Sequence, residues 1–415
     1  MQTSVQKEDS VTPKGAVVLA TGDTALGIVR ALGRHSIPVW ILDNGQSLAR
    51  FSRYVQHSFP LPMKNGEEFI QFLIGMAIKW DLRGWMLFPD GDKEVSLIAN
   101  HYNELGEYYR LTTPPWDITR WAVNKRLTYQ LAAEAGVAYP KTFYPQSRAD
   151  VETLSGKFPM LMKPAHHLGN DAFSNSRAWR AGDRGKLLSL YDELNGLADP
   201  SVMMIQEMVV AGLNTQFSYA ALCKNGNVLA DAFAERKRLS SPDFGVGILV
   251  ETIERKPEIE ASAKKWLEKS NYTGLAEIDF IFDKEDGQYK ILDVNARAWG
   301  WIAACADAGV DFLFLMWKLA SGEPFSSVRG RAGIRWVRTL MDFEVSIRAI
   351  WAGSLSWREY SASLKGVRHE TYARDDLKPA LVEFCRFAKH TLLRILRRVS
   401  RRFANITSPS DSNTG

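Results

Sequence analysis

Two short runs carry the residues best suited to chemistry, Glu277-Ile-Asp279 and Asp293-Val-Asn295-Ala-Arg297. On an extended strand, side chains two apart share a face. Glu277 and Asp279 then project together, and so do Asp293, Asn295 and Arg297. The flanking stretches 276–282 and 289–294 are strand-like, and Lys284-Glu-Asp-Gly287 separates them as a turn would, so a hairpin is expected. Facing strands would set carboxylates and an amide opposite one another, with one guanidinium beside them. Such hard oxygen ligands suit Mg²⁺ held jointly by protein and phosphates. The same alternation would also serve a hairpin with one face in water, whose acids and arginine merely pair.

The elements that must position these residues are legible in outline. Residues 16–20 form an apolar run, Thr21-Gly-Asp23 a turn, 25–32 a helix and 38–42 a second strand ending at Asp43. That order is a βαβ unit with a parallel sheet. The run Gly22-Asp-Thr-Ala-Leu-Gly27 lacks the G-x-G-x-x-G spacing, so a dinucleotide site is not expected even with Asp43 placed where a ribose-binding acid would sit. A helix at 67–79 and a strand at 85–88 extend the layer, and the first domain closes near residue 110. After the linker Thr112-Thr-Pro-Pro-Trp116, a helix is expected over 124–136. Strands follow at 157–163, ending in Lys163, and at 203–210, broken by Gln206-Glu207. A helix at 187–194 lies between those two strands. Next come a hairpin of 216–223 with 228–233 around Asn225-Gly226 and a helix at 259–269.

The segment 276–297 closely resembles the metal-binding hairpin of the ATP-grasp superfamily, which includes biotin carboxylase, the carbamoyl-phosphate synthetase large subunit and amino-acid ligases. On that resemblance Asp279, Asp293 and Asn295 are the expected metal ligands, and Arg297 is the arginine that follows. The likeness extends upstream over most of residues 15–325. It makes Lys125 and Lys163 phosphate contacts, Gln206, Glu207 and Val209 the adenine-binding hinge, and Asn214 a further nucleotide contact. Lys237 or Arg238 is the expected contact to phosphate or an acidic substrate. Where relatives carry a glycine-rich loop over the phosphates, 164–177 holds only Gly169. Backbone amides with Ser174, Asn175 and Ser176 are expected to serve there, and His166 and His167 to be exposed rather than catalytic. Trp299 and Trp301 are candidates to wall a substrate pocket, with one of the two expected in the core.

The resemblance implies an ATP-grasp fold, α/β and α+β, behind an N-terminal Rossmann-like preATP-grasp domain with a parallel sheet. The expected organisation is a disordered 1–14, the preATP-grasp domain over 15–110, the ATP-grasp domain over 111–330 in two subdomains, a mostly helical extension over 331–403 and a disordered 404–415. The implied activity is an ATP-dependent carboxylate–amine ligase working through an acyl-phosphate, with ATP and Mg²⁺ (or Mn²⁺) as cofactors. Its catalytic residues would be Arg297, Lys163 and Asn295, and its substrates small carboxylates and amines, amino acids among them. The alternatives are a carboxylase or carbamoyl-phosphate-forming enzyme, or a non-catalytic nucleotide-binding or peripheral membrane module. A homodimer is expected from the family alone.

Composition limits the other classes. The 415 residues exceed one typical domain. Three scattered cysteines suit neither a disulfide framework nor a metal cluster, as expected of a cytoplasmic chain. The net charge of +5 comes from the tail, where Arg386 to Arg402 holds seven basic residues and no acid. The body is thus slightly acidic, and nucleic acid is not an expected partner. In that tail Leu392, Leu396, Val399 and Phe403 form an apolar stripe at helical spacing. The expectation is docking on the body, with weak contact to an anionic membrane surface as the lesser outcome.

Overall fold

The computed structural model describes residues 12–62, 66–165, 178–195, 202–209, 215–241 and 245–407. Its first layer is a sheet of five parallel strands: β1 (Ala16–Ala20), β2 (Val39–Asp43), β3 (Val55–Pro60), β4 (Trp85–Pro89) and β5 (Tyr109–Leu111), in the order β3-β2-β1-β4-β5. β1, β2 and β4 are buried along their whole length, as parallel strands covered on both faces must be. Ala16, Val18 and Ala20 face the helix Ala25–Arg34, while Val17 and Leu19 face the helix Gly66–Lys79.

The second layer is a small antiparallel sheet in the order β6-β9-β7-β8, formed by β6 (Thr142–Phe143), β7 (Met160–Pro164), β8 (Trp179–Ala181) and β9 (Met203–Glu207). The third is an eight-stranded sheet ordered β14-β13-β10-β11-β12-β16-β17, with β15 paired to β11. Its strands are β10 (Gln216–Lys224), β11 (Asn227–Leu239), β12 (Gly247–Ile253), β13 (Gly274–Asp283), β14 (Gln288–Asn295), β15 (Val328–Arg329), β16 (Arg335–Val337) and β17 (Arg368–His369). One face of this sheet shares a core with the first sheet through Ala220, Ala232, Trp299 and Phe312. The other packs on the helices Lys125–Glu134 and Pro257–Lys269 around the fully buried Trp266. The β10–β11 turn is tight because Asn225 and Gly226 both take positive φ, 49° and 78°.

The terminal helix Lys378–Thr407 runs past the expected end at residue 403, and the remaining expected disorder, in 1–11 and 408–415, lies outside the described residues. The docking expectation needs a correction. Leu381, Phe384, Leu392 and Leu396 all face outward. The helix holds the body through polar contacts instead: Thr371 Oγ1 donates to Glu383 at 2.5 Å, Arg386 to Gln46 O at 2.6 Å and Arg394 to Glu344 at 3.3 Å. These partners occupy one side of the helix, which turns the apolar stripe away. The side chains of Val399 and Phe403 lie outside the described residues. Among the described residues no helix is long and apolar enough to cross a membrane.

One buried ion pair fixes the C-terminal extension to the first sheet. Arg30 Nε donates to Asp376 Oδ2 at 3.0 Å, and its other nitrogens donate to the carbonyls of Glu370, Thr371 and Asp376. Ser52 Oγ and Arg53 N complete the carboxylate's partners at 2.7 and 3.0 Å. Arg30→Ala is expected to cost about 3–5 kcal/mol, because Asp376 would be left buried and charged without its partner. Urea unfolding measures this. An Arg30→Met/Asp376→Leu double variant should recover much of the loss, and a single-variant cost under about 1 kcal/mol would mean that the pair does not hold the extension.

Candidate active site

The site is built on β13 and β14. Glu277 pairs with Asn295 and Asp279 with Asp293, so the two acid-bearing faces meet across the ladder. Ile278, Phe280, Ile291 and Val294 fill the opposite face as core. A bulge at Leu292 follows the Asp279–Asp293 pair and adds local twist. Each acid is then met by a specific partner. Glu277 accepts from Asn295 Nδ2 at 3.0 Å and from Trp301 Nε1 at 2.6 Å. Asp279 accepts from Ser218 Oγ at 2.7 Å and stands 2.5 Å from Arg236 Nη2. Asp293 is ion-paired with Lys125.

Those cations arrive from three other elements. Lys125 opens the helix Lys125–Glu134, where Asn124 caps by accepting from Arg126 N, and the Lys125 amide donates to Ala165 O at 2.7 Å at the end of β7. Lys163 lies on the half-buried face of β7. Burial, with Lys125 nearby, pushes its amine down to about 7, and Asp293 only partly opposes this. Asp293 itself is held below the usual carboxylate range, since Lys125 and Lys163 outweigh its burial. Glu277 moves the other way, raised by burial and by the charge of Asp279. Arg236 stays firmly charged: burial is opposed by Asp279, Glu277 and Asp293.

Arg236 corrects the expectation for Lys237 and Arg238. Lys237 pairs with Glu235 at 2.6 Å, and Arg238 pairs with Asp342 at 2.5 Å. The reason is a change of parity. Counted straight from the Asn225-Gly226 turn, the β11 residues on the Ser218 side would be 233, 235 and 237. One extra residue, Leu229, opposite the Leu222/Cys223 step moves the register, and a slip of one reverses every side chain. Ala234 therefore faces Ser218, and Arg236 joins that face.

Other expected residues are placed differently from the group on β13 and β14. Arg297 lies at its edge, donating to Asp92 at 2.6 Å and to Ala298 O at 3.0 Å. Gln206 is buried with its amide donating to Thr142 Oγ1 at 2.8 Å, and Glu207 accepts from Lys157 N at 2.9 Å. The hinge side chains are thus committed within the small sheet, and the backbone up to Val209 is what remains for a base. Asn214 and 166–177, with His166, His167, Ser174, Asn175 and Ser176, lie outside the described residues. Trp299 and Trp301 are both core, 1% and 4% exposed, and Trp301 reaches the acids through its bond to Glu277. Sequence reasoning missed Arg236, Ser218 and Asp92. Period two along β10 would have flagged Ser218, whereas Arg236 needed the bulge.

The turn after β1 answers the question of a phosphate there. Gly22 N and Thr24 N donate to the carboxylate of Asp90 at 2.8 and 3.1 Å. A protein anion already takes those amides, although burial raises Asp90 to about 6. Asp43 similarly serves its own loop, accepting from Gly45 N and Ser47 N.

The donor set on β13 and β14 suits a hard divalent ion. Among the described residues no three carboxylate, imidazole or thiol groups converge on one point. Two carboxylates and an amide would therefore leave about half of an octahedral shell to phosphate oxygens and water, the usual arrangement for Mg²⁺ with nucleotides.

Residues 249–328, which run from within β12 through β13 and β14, match the family described as the carbamoyl-phosphate synthase L chain ATP-binding domain. A curated D-aspartate ligase of Enterococcus faecium is 24% identical over 234 residues, 51% of this chain and 53% of the ligase, so the match spans about half of that relative. Among solved structures, an L-amino acid ligase from Bacillus licheniformis superposes with a TM-score of 0.59 at 17% identity over 76% of each chain. The biotin carboxylase domain of Hydrogenobacter thermophilus 2-oxoglutarate carboxylase, solved with MgADP and bicarbonate, gives 0.61 at 13% identity over 78% of this chain and 74% of its own. With the parallel sheet in front and the acid-bearing hairpin behind it, the chain has the ATP-grasp fold, and residues 249–328 are similar to the ATP-binding domain of the carbamoyl-phosphate synthase L chain.

Proposed function

We propose that the protein is an ATP-dependent ligase that joins a carboxylate to an amine through an acyl-phosphate. The observation that carries this is the grouping of Asp279, Asp293 and Asn295 with Lys125, Lys163 and Arg236 around one face of a hairpin. Acids, an amide and cations there handle phosphate charge, and a ligase of this kind needs no protein nucleophile. The named ligase relatives favour an amino acid among the substrates.

Asp279, Asp293 and Asn295 would hold Mg²⁺, which supplies Lewis acidity toward phosphoryl oxygens when bound. Lys125 and Lys163 would screen the triphosphate, and the backbone near Val209 would take the base. The γ-phosphoryl passes from ATP to the substrate carboxylate oxygen, releasing ADP. The amine nitrogen then attacks the acyl carbon, the C–O bond breaks, phosphate leaves with the electron pair, and the amine gives up a proton. Arg236 is placed to follow this chemistry. It sits on Asp279 and would take up phosphate or acyl oxygens as that acid turns to the ion.

ADP release with Mg-ATP, a panel of amino acids and product mass analysis is the direct test. Amine-dependent release is expected, with about a 100-fold or greater loss in Asp293→Ala and Asn295→Ala while circular dichroism stays native. Full turnover in either variant would refute the metal assignment, and release driven by bicarbonate without an amine would favour a carboxylase.

The depressed amine of Lys163 gives a pH signature. Its folded value lies near 7, so the free protein loses this charge as pH rises through about 7, and a bound triphosphate would restore it. Nucleotide binding at about pH 8 should take up about one proton, and uptake should fade toward about pH 6. Calorimetry in buffers of different ionisation heat measures this, and Lys163→Met should abolish it. Equal uptake in wild type and variant would remove Lys163 from the phosphate site.

A further inference from the structure

A cavity of about 490 Å³ lies at the carboxyl ends of β1 and β2. Its inner wall is Thr21, Gly22 and Asp23 of the first sheet, and its outer wall comes from the C-terminal extension, with Glu370, Arg386 and His390. The size suits a molecule of amino-acid scale. The inner part is rich in carboxylates. Asp23, Glu370 and Glu383 line it, and Arg338 serves two of them: it donates to Asp23 at 2.5 Å and stands 3.3 Å from Glu370 Oε1. Among the described residues the buried Glu370 Oε1 has no hydrogen-bond donor, since the approach of Arg338 lacks the geometry, and Thr21 Oγ1 is likewise buried without a partner. Buried polar atoms without partners are uncommon and call for a missing ligand or water. The surplus of carboxylate over guanidinium says that the missing group is a cation that donates hydrogen bonds.

The outer wall has the opposite character. Among the described residues Arg386 makes one donated bond, to Gln46 O, and lies over the Phe51 ring, so its planar fork keeps further donors for an anion, and His390 lies beside it on the same helix. The cavity also adjoins the proposed chemistry. Gly22 of its wall is bound by Asp90, whose charge is felt by Arg297 at the end of the β14 run.

We propose that this cavity receives the amine substrate as an amino-acid-sized ammonium carboxylate, its ammonium on Glu370 and Asp23 and its carboxylate toward Arg386 and His390. The proposal rests on the ligase reading and assigns the terminal helix Lys378–Thr407 to substrate binding. Burial, with Asp23 and Glu383 adding and Arg338 opposing, raises Glu370 to about 8, and an ammonium beside it would restore its charge.

The test uses the full chain and free amino acids as probes, by isothermal titration calorimetry with Mg-AMPPNP present. At least one amino acid is expected to bind. Glu370→Gln should weaken that binding tenfold or more, and Thr391→Trp, which fills the cavity from the helix without removing a charge, should abolish it. Both variants should keep Mg-AMPPNP affinity within twofold. In turnover the KM for the amine should rise in Glu370→Gln with the KM for ATP unchanged. If Glu370→Gln does not fold, the Thr391→Trp result decides alone. Binding unaltered by either change, or no binding by any amino acid, overturns the proposal. Amino-acid binding that these variants abolish, without any amine-dependent ADP release, would support the cavity and refute the ligase reading instead.

Discussion

Acids that face one another across a ladder, two of them buried, must be met by positive charge, and much of this structure answers that requirement. Asp279 and Asp293 are opposed across β13 and β14, with Glu277 beside them. An uncompensated ion inside a protein costs several kcal/mol. No cation on the hairpin itself reaches the pair: Arg297 turns to Asp92, and Lys290 is bound to Asp283 at 2.5 Å. The counter-charges come instead from β11, from the first turn of the helix Lys125–Glu134 and from the end of β7. Three parts of the chain, none adjacent in sequence, are held at one point by the same electrostatic demand. Once phosphates and a metal ion enter, those partners have other oxygens to bind, so a site closed on itself is also one poised to exchange.

The hairpin was legible because strand periodicity is local. Two residues apart means one face, so Glu277 with Asp279 and Asp293 with Asn295 were expected on facing strands, while the pairing of Asp279 with Asp293 is seen in the fold. The parallel sheet in front was equally readable, since β1, β2 and β4 are apolar throughout and separated by turn residues. Arg236 was hidden by a single extra residue, Leu229, whose effect travels along β11 as far as Arg236, where the register shifts again. No composition rule sees a bulge. Gln206 and Glu207 look like hinge ligands in sequence but are satisfied within the small sheet, by Thr142 and Lys157. Which partner a buried amide finds is decided by packing, and packing is not written in the residue's own neighbourhood.

The tail teaches a related point. An apolar stripe on a helix is usually an instruction to dock. Here the polar side is the one that docks, because Glu383, Arg386 and Arg394 find partners on the body while Leu381, Phe384 and Leu392 do not. Charge pairing and cavity lining share the same helix face, which explains why that face points inward.

The pair of Arg30 and Asp376 spans 346 residues. A ribosome makes the helix Ala25–Arg34 well before the segment bearing Asp376. Through most of synthesis that guanidinium has no carboxylate to meet, and the surface meant to receive the C-terminal extension stays wet. The first sheet can form on its parallel strands, but its final seal waits until residue 376 has been made and has emerged. Non-local closures of this kind are slow steps. Quality control that acts on nascent chains would therefore meet this protein with the helix Ala25–Arg34 still open, and a chain that stops short of residue 376 would carry the defect far from where it stops.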